Sequence, residues 1–320
     1  MKLLLPTPEN IVLAAEALRA GDLVGMPTET VYGLAGDAMS SAAVEKIYAV
    51  KSRPAHNPLI IHVANAETAM HYGQFNSAAR AFAAVFWPGP LTLVVARNES
   101  TKLAAHFSSL TSLALRVPAH PAAQNLLRAF GGPIAAPSAN RSGELSPTQA
   151  NHVAEAFKDY DQPKIILAGG RADAGLESTI VDCTGAAPKI LRPGSIIIEE
   201  LRAVVPETID FSLPTAEPAA PIAPGQLLKH YAPRTRLRLN ARDIAPDEAL
   251  LAFGPEPPWA KRALMVLNLS PAGDLTEAAH HLFSHLHTLD GQGARAIAVM
   301  PIPPDGVGAA IQDRLGRAAA

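Results

Sequence analysis

The sequence predicts an α/β protein built as two units of unequal size. Short apolar runs alternate with helix-period runs from residue 8 to about residue 200, and the alternation returns on a smaller scale after residue 225. Between them, "VPETIDFSLPTAEPAAPIAPG" (205–225) is dense in proline and has no period, the composition of a semi-rigid tether. The expected organisation is a larger unit over 1–204, a linker over 205–225, and a small α/β unit with a parallel sheet over 226–320.

Taken in order, Thr7-Pro8 offers a hydroxyl cap and a proline in the first turn of a helix that Gly21 ends. "DLVGM" reads as a strand. Over 41 to 52, Val44, Ile47 and Tyr48 share one helical face until Pro54 forbids continuation, so Lys51 and Arg53 lie at the end of that helix, where its dipole tolerates cations. "LIIHV" is a strand, and two helical runs lead to the turn and strand of "FWPGPLTLVVAR". "LALRVP" (strand), "PAAQNLLRAFGG" (helix) and "PIAAPS" (strand) follow. Ser146-Pro147-Thr148-Gln149 has the form of a capping box, and "KIILAGG", "STIVDCT" and "KILRPG" complete the larger unit as strands. Beyond the linker, "LRLN", "ALLAF", "LMVLNLS" and "AIAVMPI" read as strands, with helices at 274 to 289 and 305 to 319.

The 320 residues are 48% hydrophobic and 18% charged, ordinary for folded units with sizeable cores. A net charge of -2 supplies no whole-protein field for nucleic acid, so any anion site has to be local. One cysteine, Cys183, excludes an internal disulfide and a multi-cysteine zinc cluster. "MKLLLPTPEN" is too short for a signal-peptide core and no run reaches the ~18 apolar residues of a membrane span, so the expectation is a cytoplasmic protein with no membrane contact.

No Walker loop, strand-borne GxGxxG or GxSxG elbow is present. Instead, polar residues collect at the ends of expected strands, where open α/β sheets place ligands: Thr28, Thr30, Lys51, Arg53, Asn57, His62, Ser112, Arg116, Ser138, Asn140, Ser178 and Arg192. Each has an ordinary reading by itself. His62 fits a satisfied core histidine, Arg116 an ion pair as readily as an anion contact, and Ser138 and Asn140 fit a turn. Glu29, Glu177 and Asp182 read as structural carboxylates. His281 and His285 lie one helical turn apart without a third ligand, which describes a solvated helix face.

Read jointly, the motifs "PTETVYGLAGDA", "KIYAVKSRPAHNPLIIHV", "WPGPLTLVV", "LALRVPAHP", "PIAAPSANRSGELSPTQA", "GLESTIVD" and "ILRPG" resemble, in order, the YrdC-type threonylcarbamoyl-AMP synthases. The K-x-R and S-x-N signatures of that family fall on Lys51-Ser52-Arg53 and Ser138-Ala139-Asn140. "APGQLLKHYAPRTRL" and "GVGAAIQDRLGRAAA" resemble its long, two-domain form. The resemblance implies a YrdC-like twisted open sheet with helices around a concave cavity, and a small Rossmann-like C-terminal unit. It implies condensation of L-threonine, bicarbonate and ATP to threonylcarbamoyl-AMP with release of pyrophosphate. A tRNA threonylcarbamoyl-transferase complex then uses the product on the adenosine next to the anticodon of tRNAs, with weak tRNA contact by the synthase itself.

Carried over residue by residue, the resemblance places Thr30, His62, Arg116, Ser138 and Ser178 around threonine. Arg53, Asn57, Ser112, Asn140, Thr148, Arg192 and His230 fall on the ATP side, with Lys51 and Arg53 clamping phosphates and Arg192 assisting. Two anions have to meet in this chemistry, and one unit charge ~4 Å from another contributes about 4 kcal/mol at an effective dielectric near 20. Mg²⁺ is expected on the triphosphate, with no metal site of the protein's own and no tightly bound organic cofactor. An RNA-binding module and a related carbamoyl-transfer enzyme are the alternatives.

Overall fold

A computed structural model describes residues 1–212, 222–224 and 230–320, so about half of the expected tether, and the first residues of the smaller unit, lie outside the described residues. The larger unit is built on an eleven-stranded mixed sheet. Across it run Lys2–Leu4, Ile165–Leu167, Val24–Met26, Gly33–Asp37, Ile134–Ala135, Ile60–His62, Ser112–Arg116, Leu91–Arg97, Thr179–Asp182 and Lys189–Arg192, with Gly73–Gln74 pairing off the path to Leu91–Arg97. Ile60–His62 and Ser112–Arg116 are parallel, with His62 opposite Arg116, and Ser112–Arg116 is antiparallel to Leu91–Arg97, with Arg116 opposite Thr92. One register thus brings three polar side chains to one level of an otherwise apolar sheet.

Among the described residues the smaller unit has four strands, all paired in parallel, in the order Leu237–Arg238, Ala296–Val299, Glu248–Ala252, Val266–Asn268. The helices Leu275–Asp290 and Gly308–Ala319 cover one face. Their core is continuous with the larger unit: Val31, Leu145 and Leu176 join Tyr231, Phe283 and Leu315 in one buried cluster. Gly175 (φ +69°) permits this docking, because a Cβ there would stand 2.5 Å from the Ala279 carbonyl oxygen. Among the described residues no helix is long and apolar enough to cross a membrane.

Most local expectations hold. Thr7 caps Pro8–Arg19, and Ser41–Lys51 ends at Ser52 in the left-handed region, two residues before Pro54. The capping box at 146–149 does not form. The helix Ala150–Ala156 begins later, with Gln149 at its cap and no side-chain bond to it. The Ser146 hydroxyl instead donates to Glu177 Oε1, because a buried carboxylate competes better for it than a peptide N–H. Gly33–Asp37, "GLAGD", lacks the β-branched residues that mark a strand, and the sequence pattern alone does not reveal it.

Candidate active site

The K-x-R pair is shaped by one backbone decision. Ser52 closes Ser41–Lys51 with φ +53°, and the Ser52 and Arg53 amides donate back to Ala49 and Tyr48. The turn sends the side chains of Lys51 and Arg53 inward from the same helix end, and only 1% and 8% of them remain exposed. Arg53 donates through Nε to the Asn57 carbonyl (3.1 Å) and through Nη2 to Asn57 Oδ1 (2.7 Å) and Pro58 O (2.8 Å). Tyr48 OH holds the same Asn57 carbonyl at 3.0 Å. Burial lowers the Arg53 guanidinium to about 10, still protonated at neutral pH.

Lys51 takes a different place. Its Nζ donates to the carbonyls of Ser138 (2.6 Å) and Asn140, so the lysine stands behind the S-x-N loop and holds it from below. Burial, then the neighbouring Arg53 charge, holds its pKa well below the ordinary lysine value. The loop is further fixed by Ala139 N to Tyr32 O (2.7 Å) and Asn140 Nδ2 to Glu144 O (2.8 Å).

On the sheet, Arg116 donates through Nη1 to Thr30 Oγ1 (2.8 Å), through Nη2 to Glu29 Oε1 (2.7 Å) and through Nε to Gly89 O (3.3 Å). Burial works to raise the Glu29 carboxyl, but Arg116 outweighs it and holds the group ionised below its usual value. His62 beside Arg116 is driven down to about 3 by burial and by that guanidinium, so it is a neutral imidazole, and its Nδ1 has no partner among the described residues.

Arg192 donates through Nε and Nη2 to Ser178 O (3.1 and 3.0 Å) and through Nη2 to Ser178 Oγ (3.1 Å), while that hydroxyl meets Thr92 at 2.7 Å. Glu177 is held by Ser146 and by Arg314 of the smaller unit at 2.7 Å, and the Arg314 guanidinium stands 5.1 Å from the centre of the Tyr231 ring. His230, neutral with a pKa driven to about 3 by burial and then by Arg53, lies beside Tyr231.

These groups converge on one cavity of about 50 Å³, lined by Thr28, Thr30, Arg53, His62, Arg116, Ser138, Glu177, Ser178, Arg192, His230, Tyr231 and six apolar or glycine residues that include Pro224. Nine of the sequence-chosen residues, Thr28 and His230 included, are on its wall. Asn57 lies behind Arg53, and Asn140 and Thr148 are buried nearby, with Oδ1 and Oγ1 unpartnered among the described residues. Ser112 stands apart, at the other end of the strand from Arg116, four residues or roughly 13 Å away. The sequence-based candidate set lacked Thr92, Tyr231 and Arg314. A threonine inside "LTLVV" is a visible signal for the first, but Arg314 lies 137 residues from Glu177 and no local pattern joins them.

The charges divide into two kinds. Arg116 and Arg314 have carboxylates, Glu29 and Glu177. Lys51, Arg53 and Arg192 are held by carbonyls and by neutral side-chain oxygens alone, and none has an ion-pair partner among the described residues. Buried cations without a direct carboxylate partner are costly, and an anion in the cavity would offset that cost for the two on its wall, Arg53 and Arg192.

Comparison with known proteins agrees with this geometry. Residues 16–194 match the Sua5, YciO and YrdC family model described as telomere recombination, and 196–320 match the model described as threonylcarbamoyl-AMP synthase, C-terminal domain. The threonylcarbamoyl-AMP synthase of Pyrococcus abyssi is 37% identical, over 97% of this chain and 94% of its own. That of Bacillus subtilis is 36% identical, over 97% and 93%. The crystal structure of P. abyssi Sua5 complexed with L-threonine superposes with a TM-score of 0.89 at 33% identity, covering 99% of this chain and 97% of that one. The chain belongs to the Sua5, YciO and YrdC family, in the long form that carries the threonylcarbamoyl-AMP synthase C-terminal domain.

Proposed function

We propose that the protein makes L-threonylcarbamoyl-adenylate from L-threonine, bicarbonate and ATP, with residues 1–204 forming the catalytic unit, 205–225 the tether and 226–320 the smaller unit that helps wall the site. The carrying observation is the pair of buried arginines Arg53 and Arg192, without an ion-pair partner among the described residues, on the wall of a cavity that also presents Arg116 and a neutral His62, with Lys51 bracing the S-x-N loop from behind. Arg116, already oriented by Glu29, suits the threonine carboxylate. His62 Nδ1, Thr30, Ser138 and Ser178 offer hydrogen bonds to the amine and hydroxyl.

The threonine amine condenses with bicarbonate to a carbamate with loss of water. A carbamate oxygen then forms a bond to the α-phosphorus, the α–β phosphoanhydride bond breaks, and the electron pair leaves on pyrophosphate. Arg53 and Arg192 bring Nη1 groups that lie outside their bonds to Asn57, Pro58 and Ser178, a placement suited to the leaving phosphates. No nucleophilic side chain is required, because holding two reactants in line supplies roughly 7 to 11 kcal/mol.

Mg²⁺ arrives on the triphosphate. Glu29 and Glu177 are committed to arginines, and no group of three His, Cys, Asp or Glu among the described residues has the arrangement of a metal site. By the same measure of volume a water takes about 15 Å³, so about 50 Å³ admits only a few waters. Admission of ATP therefore requires wall groups such as His230 and Tyr231 to move. The product suits a cytoplasmic tRNA-modifying complex as its consumer.

The test is pyrophosphate release by the full chain. It is expected only when threonine, bicarbonate and ATP are all present, and ATP turnover that ignores threonine would overturn the reading.

A further inference from the structure

Thr92 interrupts the apolar start of Leu91–Arg97, is fully buried, and does not itself reach the cavity wall. Valine would fill the same pleated place without a hydroxyl to desolvate, so the hydroxyl calls for a reason. Its oxygen meets one group, Ser178 Oγ at 2.7 Å. Ser178 does line the cavity, and its hydroxyl also accepts from Arg192 Nη2 at 3.1 Å. A serine hydroxyl has one proton and two acceptor positions, whereas a guanidinium only donates. If Ser178 gave its proton to Thr92, the Thr92 proton would be buried with no acceptor among the described residues, the costlier arrangement. Thr92 therefore donates to Ser178, both acceptor positions of Ser178 are filled, and the Ser178 proton is left for the cavity. The Ser178 backbone is held as firmly. Arg192 grips its carbonyl at 3.1 and 3.0 Å, Thr179 N donates to Pro90 O at 3.0 Å, and a Cβ on Gly194 would stand 2.7 Å from the Ser178 carbonyl carbon.

We infer that Thr92 is a positioning residue that makes Ser178 a one-way hydrogen-bond donor to an oxygen of the threonine carbamate. The inference rests on the proposed synthase reading. An ammonium group offers only donors, so Ser178 wired in this way has nothing to give the charged amine, and it gains an acceptor once that amine has been carboxylated. Sheet order selects the carbamate. The strands of Arg116, Thr92, Ser178 and Arg192 follow one another across the sheet, with Ser178 immediately before Thr179–Asp182. Ser178 thus stands two strand spacings, roughly 9 to 10 Å, from the strand of Arg116 and one spacing short of the strand of Arg192. With the threonine carboxylate at Arg116 and phosphates at Arg192, the carbamate has to lie between them.

The test is single-turnover pyrophosphate release by the full chain, with enzyme in excess of ATP and with threonine and bicarbonate saturating. Threonine affinity is measured beside it by calorimetry in bicarbonate-free buffer. Thr92→Val keeps the shape and removes the proton, so release should slow about tenfold, the worth of one hydrogen bond to a charged oxygen. Threonine affinity should stay within a factor of about three. Thr92→Ser keeps the hydroxyl and loses the methyl, and its rate should lie within a factor of about two of wild type. A packing role predicts the opposite order, valine faster than serine, and that order would overturn the inference. So would an unchanged rate in Thr92→Val, or a loss of threonine affinity of about tenfold beside an unchanged rate. Should the valine variant not fold, Thr92→Cys, a weak donor, takes its place and has to be slower than Thr92→Ser. No release by the wild type with all three substrates present overturns the synthase reading, whereas wild-type release equalled by Thr92→Val overturns only the role of Thr92.

Discussion

Arg314→Met tests whether the smaller unit controls charge inside the catalytic cavity. Arg314 is 1% exposed and makes three bonds: to Glu177 Oε2 at 2.7 Å, to Asp313 Oδ2 at 2.7 Å and to Pro193 O at 2.9 Å. Asp313 keeps Arg317 at 2.8 Å after the change, so the stranded charge is Glu177. Removing one partner of a buried ion pair costs about 3 to 5 kcal/mol, and an orphaned carbonyl adds roughly 1 kcal/mol, while methionine preserves most of the volume. The expected loss is therefore about 4 to 6 kcal/mol, with a higher KM for ATP because an unneutralised carboxylate now faces its phosphates. Urea unfolding should be followed by two spectroscopic probes, since a chain of two units need not unfold in one step. Glu177→Gln in the same chain removes the stranded charge, so the double variant should recover at least 2 kcal/mol relative to Arg314→Met. A loss below about 1 kcal/mol, or a double variant as unstable as the sum of the two single ones, would refute the reasoning.

Three further outcomes are expected. Lys51→Met should leave two buried carbonyls without a donor, costing about 2 to 4 kcal/mol and slackening the S-x-N loop; a thermal melt indistinguishable from wild type would show that the lysine does not hold the loop. Arg116→Ala should weaken threonine binding at least tenfold in calorimetric titration and leave ATP binding within a factor of about three, the reverse pattern removing Arg116 from the threonine side. Acid should destabilise the fold early. His62 and His230 have folded pKa values near 3 against 6.5 unfolded, so the unfolded chain binds more protons between those values and stability falls as pH drops below 6.5. At pH 5.5 each histidine removes about 1.4 kcal/mol, so these two alone should lower the unfolding free energy from urea titration by about 3 kcal/mol between pH 7.5 and 5.5.

The fold was legible where local chemistry decided it. Thr7-Pro8, the face shared by Val44, Ile47 and Tyr48, and Pro54 each act within a few residues, and the elements formed there as expected. His62 and Arg116 were conspicuous because each broke an apolar run, and strand register then placed them opposite each other. Ser146 failed as a cap because its hydroxyl was claimed by Glu177, 31 residues away. Spacing alone also grouped Lys51 with Arg53 as equal clamps, and it could not show that the left-handed turn at Ser52 puts the lysine behind the loop and the arginine on the wall. Docking of the smaller unit through Arg314 was equally invisible, because it depends on packing between distant segments.

The two kinds of cation suggest why the cavity is built this way. Arg116 and Arg314 carry their own counter-ions, so their geometry is fixed before any ligand arrives, and an incoming carboxylate meets a donor already aimed by Glu29. Lys51, Arg53 and Arg192 have no direct ion-pair partner among the described residues, and burial lowers the pKa of all three although Glu144 and Glu177 act at longer range on Lys51 and Arg192. That arrangement is costly in the empty protein, and an anion beside Arg53 and Arg192 would relieve part of the cost. On the proposed reading the binding energy of the triphosphate would be divided, one part going to affinity and the rest to offsetting the charge repulsion already present. Pyrophosphate carries enough charge to relieve the same strain, so it should raise the melting temperature by itself, whereas threonine, met by a pre-paired arginine, should raise it less at equal saturation. If threonine stabilised the protein as strongly as pyrophosphate, the division between compensated and uncompensated cations would have no energetic meaning.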